Sequence, residues 1–591
     1  MRRIVLTAAA LVLAVAPLRA QAGGYTAARR AADSTQALAF FRGNIAAIHH
    51  RDRAAYLRHY LQSPRLARVG PGGVQYGYQP LAAQRDTTWP DTLVATHFEV
   101  VPLSPGVVYG AYRYRVAQGG SSRGVSERVM VRQPDGSWKV SVSTAFGSPG
   151  DAPVPAFALT HATVIDGTGA PPRRDATVVM RGGKVECVGA CRLAPDVEVI
   201  DARGRWIVPG LVDAHVHYSQ TGWADGRPDA FDVRRRMPYD SVVAVLEAHP
   251  ERFFRSYLCA GVTATFDVGG YPWTWALRSR AEASNAAPHV AAAGPLLSTI
   301  DHWVNVPAAR QFVFIGSDSA TLAGARMMVH NRSDAIKVWY LAEETSGDTA
   351  ALKARLRVAA AEARRGGIPL IVHATELWSA KDALRAGARL LVHSVGDVPV
   401  DDEFIALAKQ AGATYTPTLT VTEGYLALYG HSFDSARVPM ACVDPDTRHK
   451  VALTDSLPAA VPEARLASMR QSIDRQRQTM YANLRRVRDA GIPIAMGTDA
   501  GNPLTLHGAS VYREMEAMGE AGMTPMEVLV ASTRNAARAM GRTDIGTLEP
   551  GKLADLVVLD ADPLAAIANL RRVRLVARGG EIWTREELEY R

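Results

Sequence analysis

A chain of 591 residues, 47% hydrophobic and 21% charged, has room for several packed cores and the balance of a globular protein, which excludes a disordered, collagen-like or disulfide-scaffold chain. The formal charge of +9 comes from 67 basic against 58 acidic residues; the basic residues are mostly scattered arginines, a solvated surface rather than a nucleic-acid face. Only eight are lysines, and one of them, Lys337, stands inside the apolar run 335–340. A charge there needs an explanation, because a buried ammonium is costly unless it is paired or neutralised.

The chain begins Met1-Arg2-Arg3, continues through an apolar stretch over 4–18 and reaches Ala20-Gln21-Ala22. A basic start, a short apolar core and an Ala-x-Ala site predict a cleaved secretory signal over residues 1–22, with an uncleaved anchor as the alternative. Pro17 breaks the stretch, which is too short to span a bilayer comfortably. The expectation is a periplasmic or secreted protein with no stable membrane anchor. Of the four cysteines, Cys187 and Cys191 are close enough in sequence to pair in an oxidising compartment, but two buried thiols fit equally and no pairing is assigned.

Residues 25–146 predict helices over 33–48 and 52–61, then strands over 96–102, 107–116, 126–132 and 138–144, the last two joined by the turn 134–137. Helices followed by a meander resemble the α+β cone of SnoaL-like and ketosteroid-isomerase-like domains, here expected to be an accessory or dimerisation module. A linker follows at 147–155, rich in proline and glycine. Short β-segments over 156–206 and again over 543–591 flank the middle of the chain. Between them, over 207–542, eight candidate strands (207–217, 261–268, 289–298, 335–340, 369–374, 389–395, 413–419 and 493–499) alternate with helical stretches such as 239–260, 349–365 and 458–490. That alternation predicts an α/β fold, a (β/α)8 TIM barrel. The segment 420–457 is long for a loop and reads either as a lid or as a surface insertion.

The chemistry gathers at one end of these strands. The first ends Asp213-Ala214-His215-Val216-His217, and strand alternation points His215 and His217 the same way. The fourth carries Lys337, the fifth ends in His373, the sixth carries His393 and the eighth ends in Asp499. The histidines and Asp499 fall in the C-terminal halves of their strands, where barrels place active sites, and Lys337 stands midway along its own. Four imidazoles, a carboxylate and a lysine at that face predict a metal site.

Three motifs carry a resemblance: Pro209 to His217, Gly497-Thr498-Asp499-Ala500, and the run from Gly546 to Leu559. Over about 155–590 the chain resembles the metal-dependent amidohydrolase superfamily, whose barrel is joined by a small β-sandwich built from both chain ends. Lys337, between Ile336 and Val338, resembles the lysine that binuclear members carbamylate with CO₂; the mononuclear imidazolonepropionase-like branch lacks it. The resemblance implies two divalent ions, zinc foremost: His215, His217 and Asp499 on the first, His373 and His393 on the second, carbamylated Lys337 and a hydroxide bridging them. Asp499 would move the proton from water to the leaving group, and His302 resembles the histidine that holds the substrate carbonyl. Tyr340 reads as a rim aromatic and His507 as a structural or supporting residue. The expected activity is hydrolysis of a C–N bond in a small molecule, a dipeptide or N-acyl amino acid, by an exported enzyme, either a monomer or a homo-oligomer. Ester, lactone or phosphotriester hydrolysis and a non-catalytic binding barrel remain open.

Overall fold

The computed structural model describes residues 25–50, 52–70, 73–83, 93–117, 121–147, 156–301, 304–305, 309–341, 349–457 and 461–590. The expected signal segment, the linker from 148 onward and His302 lie outside them. The chain forms two compact units that part near residue 151.

The first unit lays the helices Ala27–His49 and Arg53–Arg58 beside a six-stranded sheet. Thr26 caps the long helix, its side chain accepting from the Arg29 amide, and Asp52 caps the second through the Ala55 amide. The four expected strands are present and longer, Leu93–Ser104, Val107–Ala117, Ser121–Arg132 and Trp138–Gly147. Two four-residue strands, Ala67–Gly70 and Gly73–Tyr76, extend the sheet beyond the sequence reading. Phe41, Tyr112, Met130 and Val140 are fully or nearly buried at its core.

In the second unit the barrel is built as a ring. Leu211–Val216, Val262–Asp267 and His289–Ala292 pair in parallel. Leu296–Ser298 then pairs with Ile336–Trp339, followed by Leu370–His373, Leu390–Val392 and Thr414–Thr416. The eighth position is held only by bridges: Tyr415 to Ile494 on one side and Val216 to Ala500 on the other. The Asp499 amide donates to the His215 carbonyl at 2.8 Å and closes the ring.

Two expected strands are split by glycine. The stretch 207–217 breaks at Gly210, where a β-carbon would collide with Thr263. Its first half, Trp206–Pro209, joins the other sheet, and its second half starts the barrel. The third strand breaks at Gly294 (φ 73°), pressed under the Trp275 indole. The helix expected over 239–260 is interrupted as well, running as Tyr239–Ala248, a 3-10 turn at Pro250–Phe253, and Phe254–Cys259, because proline cannot continue the helical ladder.

Both ends of this unit meet in one network of eight strands. Phe157–Val164 bends at His161 (φ 60°), pairing first with Glu198–Asp201 and then with Trp206–Pro209. Leu556–Leu559 docks antiparallel on Trp206–Pro209 and brings the C-terminal strands alongside. Leu159, Val178, Ile207, Val558 and Ala577 fill the space between. The insertion after the seventh strand is ordered as the helices Val421–Gly430 and Pro445–Ala452, and a disulfide from Cys442 to Cys259 ties it to the barrel. Cys187 and Cys191 form the second disulfide.

A buried ion network locks the barrel floor to this sheet. His289 lies 3.0 Å from Asp555 and 2.6 Å from Glu282, and Arg578 pairs with Glu282 at 3.0 Å. Burial opposes the charge on His289, but Asp555 and Glu282 outweigh it and raise the pKa above the ordinary imidazole value. The stabilisation is therefore complete below the unfolded value of about 6.5 and fades as pH rises through the folded one. Melting curves of the wild type should fall over that window, and His289→Gln should flatten the fall. A wild-type Tm that climbs across the window would contradict this.

Candidate metal centre

His215, His217 and Asp499 converge at the C-terminal mouth of the barrel, each offering a ligand atom within 4.8 Å of the others. Asp499 Oδ1 stands 2.9 Å from His217 Nε2 and 3.3 Å from His215 Nε2. The Gly269 carbonyl accepts from His217 Nδ1 at 2.6 Å, turning Nε2 toward the aspartate. His393 and His373 form the adjoining pair, with ring centroids 4.3 Å apart and His393 Nδ1 3.8 Å from Asp499 Oδ2. Both nitrogens of His215 and Oδ1 of Asp499 are buried without a hydrogen-bond partner. Such orphaned donor atoms in one cluster fit a divalent cation.

Electrostatics agree. Burial pulls His215 and His373 down to about 3 and His393 well below the ordinary range, so these rings are neutral, the form in which an imidazole can bind a metal. Burial opposes ionisation of Asp499, yet His215 and His217 outweigh it and hold its carboxyl well below the usual range. Lys337 is 3% exposed, and burial lowers it to about 7. Among the described residues no ion pair engages it, and it lines the same cavity as His373 and Asp499 as an amine able to lose its proton. Backbone strain collects here too: His393, Thr418 and Asp499 all have positive φ (74°, 43° and 62°), a conformation costing about 1–3 kcal/mol each and typical of functional sites.

A cavity of about 250 Å³ opens onto these groups, lined among others by Lys337, His373, His393 and Asp499. Three further wall residues escaped the sequence reading. Arg227 holds Asp229 through two bonds (2.9 and 2.6 Å) and donates to Asn502 at 2.8 Å, and the Tyr425 hydroxyl donates to the same Asn502 oxygen at 2.7 Å. Nothing in the sequence marks Arg227 among so many arginines; only its place in the loop after the first barrel strand could have done so. Asp213, also unremarked, accepts from the Thr498 amide and hydroxyl (2.9 and 2.6 Å) and braces the first strand against the eighth. Tyr340 is buried away from the cavity against Asp382 and Trp378. His507 bonds Tyr257 and the Gln220 carbonyl and stacks on Phe253, a bracing position behind the site.

A ring of eight strands carrying a His-x-His pair, two further histidines, a lysine and an aspartate at its C-terminal end defines a metallohydrolase-type barrel. The chain belongs to the amidohydrolase family, whose sequence profile matches residues 206–582. Imidazolonepropionase of Streptomyces coelicolor is 27% identical over 429 residues, 70% of this chain and 91% of that enzyme. The Geobacillus kaustophilus imidazolonepropionase is 39% identical over 109 residues, which span 18% of this chain and about a quarter (26%) of that relative. Among solved structures, a Xaa-Pro dipeptidase with bound methionine superposes with a TM-score of 0.56 at 21% identity, covering 73% of this chain and all (100%) of that one. Molinate hydrolase does so with a TM-score of 0.56 at 23% identity, covering 74% and 96%. Likenesses this distant speak for the fold.

Proposed function

We propose that the protein is a two-metal hydrolase cleaving a C–N bond in a small carboxylate-bearing molecule, a dipeptide or N-acyl amino acid. The carrying observation is a cavity lined by His217, His373, His393, Asp499 and buried Lys337, with His215 set against Asp499 and Arg227 supplying a cation in its wall. His215, His217 and Asp499 would hold one divalent ion; His373, His393 and a carbamate on Lys337 would hold the second. Such ions supply Lewis acidity and lower the pKa of water. Asp499 takes the proton of the attacking water and returns it to the leaving nitrogen. Lys337 favours this reading over the mononuclear one that the imidazolonepropionase relatives alone would suggest.

Arg227 spends three of its five N–H groups on Asp229 and Asn502, which leaves two for the substrate carboxylate. Arg227→Met is expected to raise KM for a carboxylate substrate by roughly 10- to 100-fold with little change in kcat. An unchanged KM would remove Arg227 from binding.

Export is part of the proposal. Two disulfides pair all four cysteines, which supports an oxidising compartment. The test of function is metal analysis of the purified protein followed by a panel of dipeptides, N-acyl amino acids, esters, lactones and phosphotriesters. About two ions per chain and turnover of the amides support the reading. Turnover of esters or phosphotriesters alone would move the reaction class, and bound metal with no turnover would favour a binding protein.

A further inference from the structure

The first unit holds a second cation that the barrel chemistry does not use. Strand Ser121–Arg132 turns Ser126, Arg128 and Met130 toward the core, and Arg128 is 6% exposed among them. Its Nη1 donates to Ser126 Oγ (2.6 Å) and to the Glu127 and Thr144 carbonyls (2.9 and 3.1 Å), while Nε is buried without a partner. The ionisable groups that bear most on it are phenols, those of Tyr60, Tyr112 and Tyr56. Among the described residues no carboxylate pairs with Arg128, and Glu127, its neighbour in the chain, accepts from Tyr109 and Thr144. A guanidinium taken out of water without a counter-charge is costly, and families of buried ions are normally paired.

A second observation points the same way. Asn44, fully buried on the core face of the long helix, leaves both amide atoms without a hydrogen bond. It follows Phe41 by one turn, and the Phe41 ring lies 5.3 Å from Tyr112, over which the Arg128 guanidinium sits at 5.7 Å. Phe98 stacks on the same tyrosine at 5.6 Å. The Arg128 guanidinium and the Phe41, Phe98 and Tyr112 rings meet at one place, and the unfilled amide lies one helical turn from Phe41.

We propose that the interior of the first unit binds a small aromatic or apolar carboxylate, its anionic end on Arg128 and Asn44 and its body against Phe41, Phe98 and Tyr112. A single cation matches a single negative charge, so a monoanion fits better than a phosphate dianion. A carboxylate supplies the missing counter-charge and accepts from the Arg128 Nε and the Asn44 amide together.

Ligand-observed fluorine NMR of para-fluorobenzoate on the full chain tests this, comparing wild type with Arg128→Met, Asn44→Leu and Arg227→Met. Arg227→Met keeps the first unit intact and separates this site from the barrel cavity. Saturable binding is expected in wild type and Arg227→Met, weakened about 10-fold or more in Arg128→Met and less in Asn44→Leu. Circular dichroism checks each fold, and replacing a buried charge by an apolar side chain of similar volume is often tolerated. If Arg128→Met fails to fold, Asn44→Leu and Arg128→Lys carry the comparison. Absence of saturable binding in wild type, loss only in Arg227→Met, or equal binding in all four proteins would overturn the proposal. Displacement by an equal concentration of inorganic phosphate would overturn the carboxylate assignment.

Discussion

Asp499→Asn should lower kcat by about 10³-fold or more, since a positioned general base contributes 10²–10⁴-fold and this residue is also a proposed metal ligand. The substitution preserves volume and planarity at a site that tolerates little change, because Asp499 sits at φ 62° and its neighbour Gly497 packs directly on His215. The loss is therefore chemical rather than steric. The wild-type carboxylate lies 2.9 Å from His217 and 3.3 Å from His215 and stays ionised because those rings outweigh burial. An asparagine cannot accept the proton of water and supplies no negative charge. Steady-state kinetics on the best panel substrate, with metal content measured on the same preparation, reads both effects. A kcat within a few-fold of wild type at full metal content would remove Asp499 from proton transfer.

How much of this could be read from the chain depends on the length scale of each signal. The barrel was legible because its strands are short apolar runs at regular spacing, and the candidate histidines and Asp499 because they stand at or near the C-terminal ends of such runs, whereas Lys337 stood out as the one charge in its run. His215 and His217 needed only the two-residue period of a strand. The break at Gly210 was not legible: the apolar pattern runs through it, and only the approach of Thr263 from the next strand forces the chain from one sheet into another. Nor was the eighth strand's reduction to isolated bridges. The Cys259–Cys442 disulfide spans 183 residues and could not be deduced from four cysteines alone. Arg227 and Arg128 stayed hidden for a shared reason. The role of an arginine is set by the surface its side chain faces, and contacts distant in sequence settle that, such as Arg227 with Asn502 and Arg128 with the Thr144 carbonyl.

Lys337→Met should remove about one of two metal ions and lower kcat by roughly 10³-fold, the scale expected when a two-ion site loses its bridge. The unbranched thioether follows much of the lysine's path, and the strand around it is firmly packed: Ala335, Ile336 and Val338 are fully buried. Packing should therefore survive and the melting temperature hold or rise, since the variant no longer buries an amine. Stability and function then separate. A lysine merely reaching for solvent would give a silent variant, whereas a lysine that supplies an anionic ligand would give a stable protein short of metal. The carbamate adds a dependence that no ordinary ligand shares, because it forms only by uptake of CO₂ on the neutral amine. Metal-stripped wild type should regain activity more fully when reloaded with bicarbonate than in CO₂-depleted buffer, and Lys337→Met should show no such difference. Equal recovery of the wild type in both buffers would leave Lys337 uncarbamylated and return the site to a one-metal reading built on His215, His217 and Asp499.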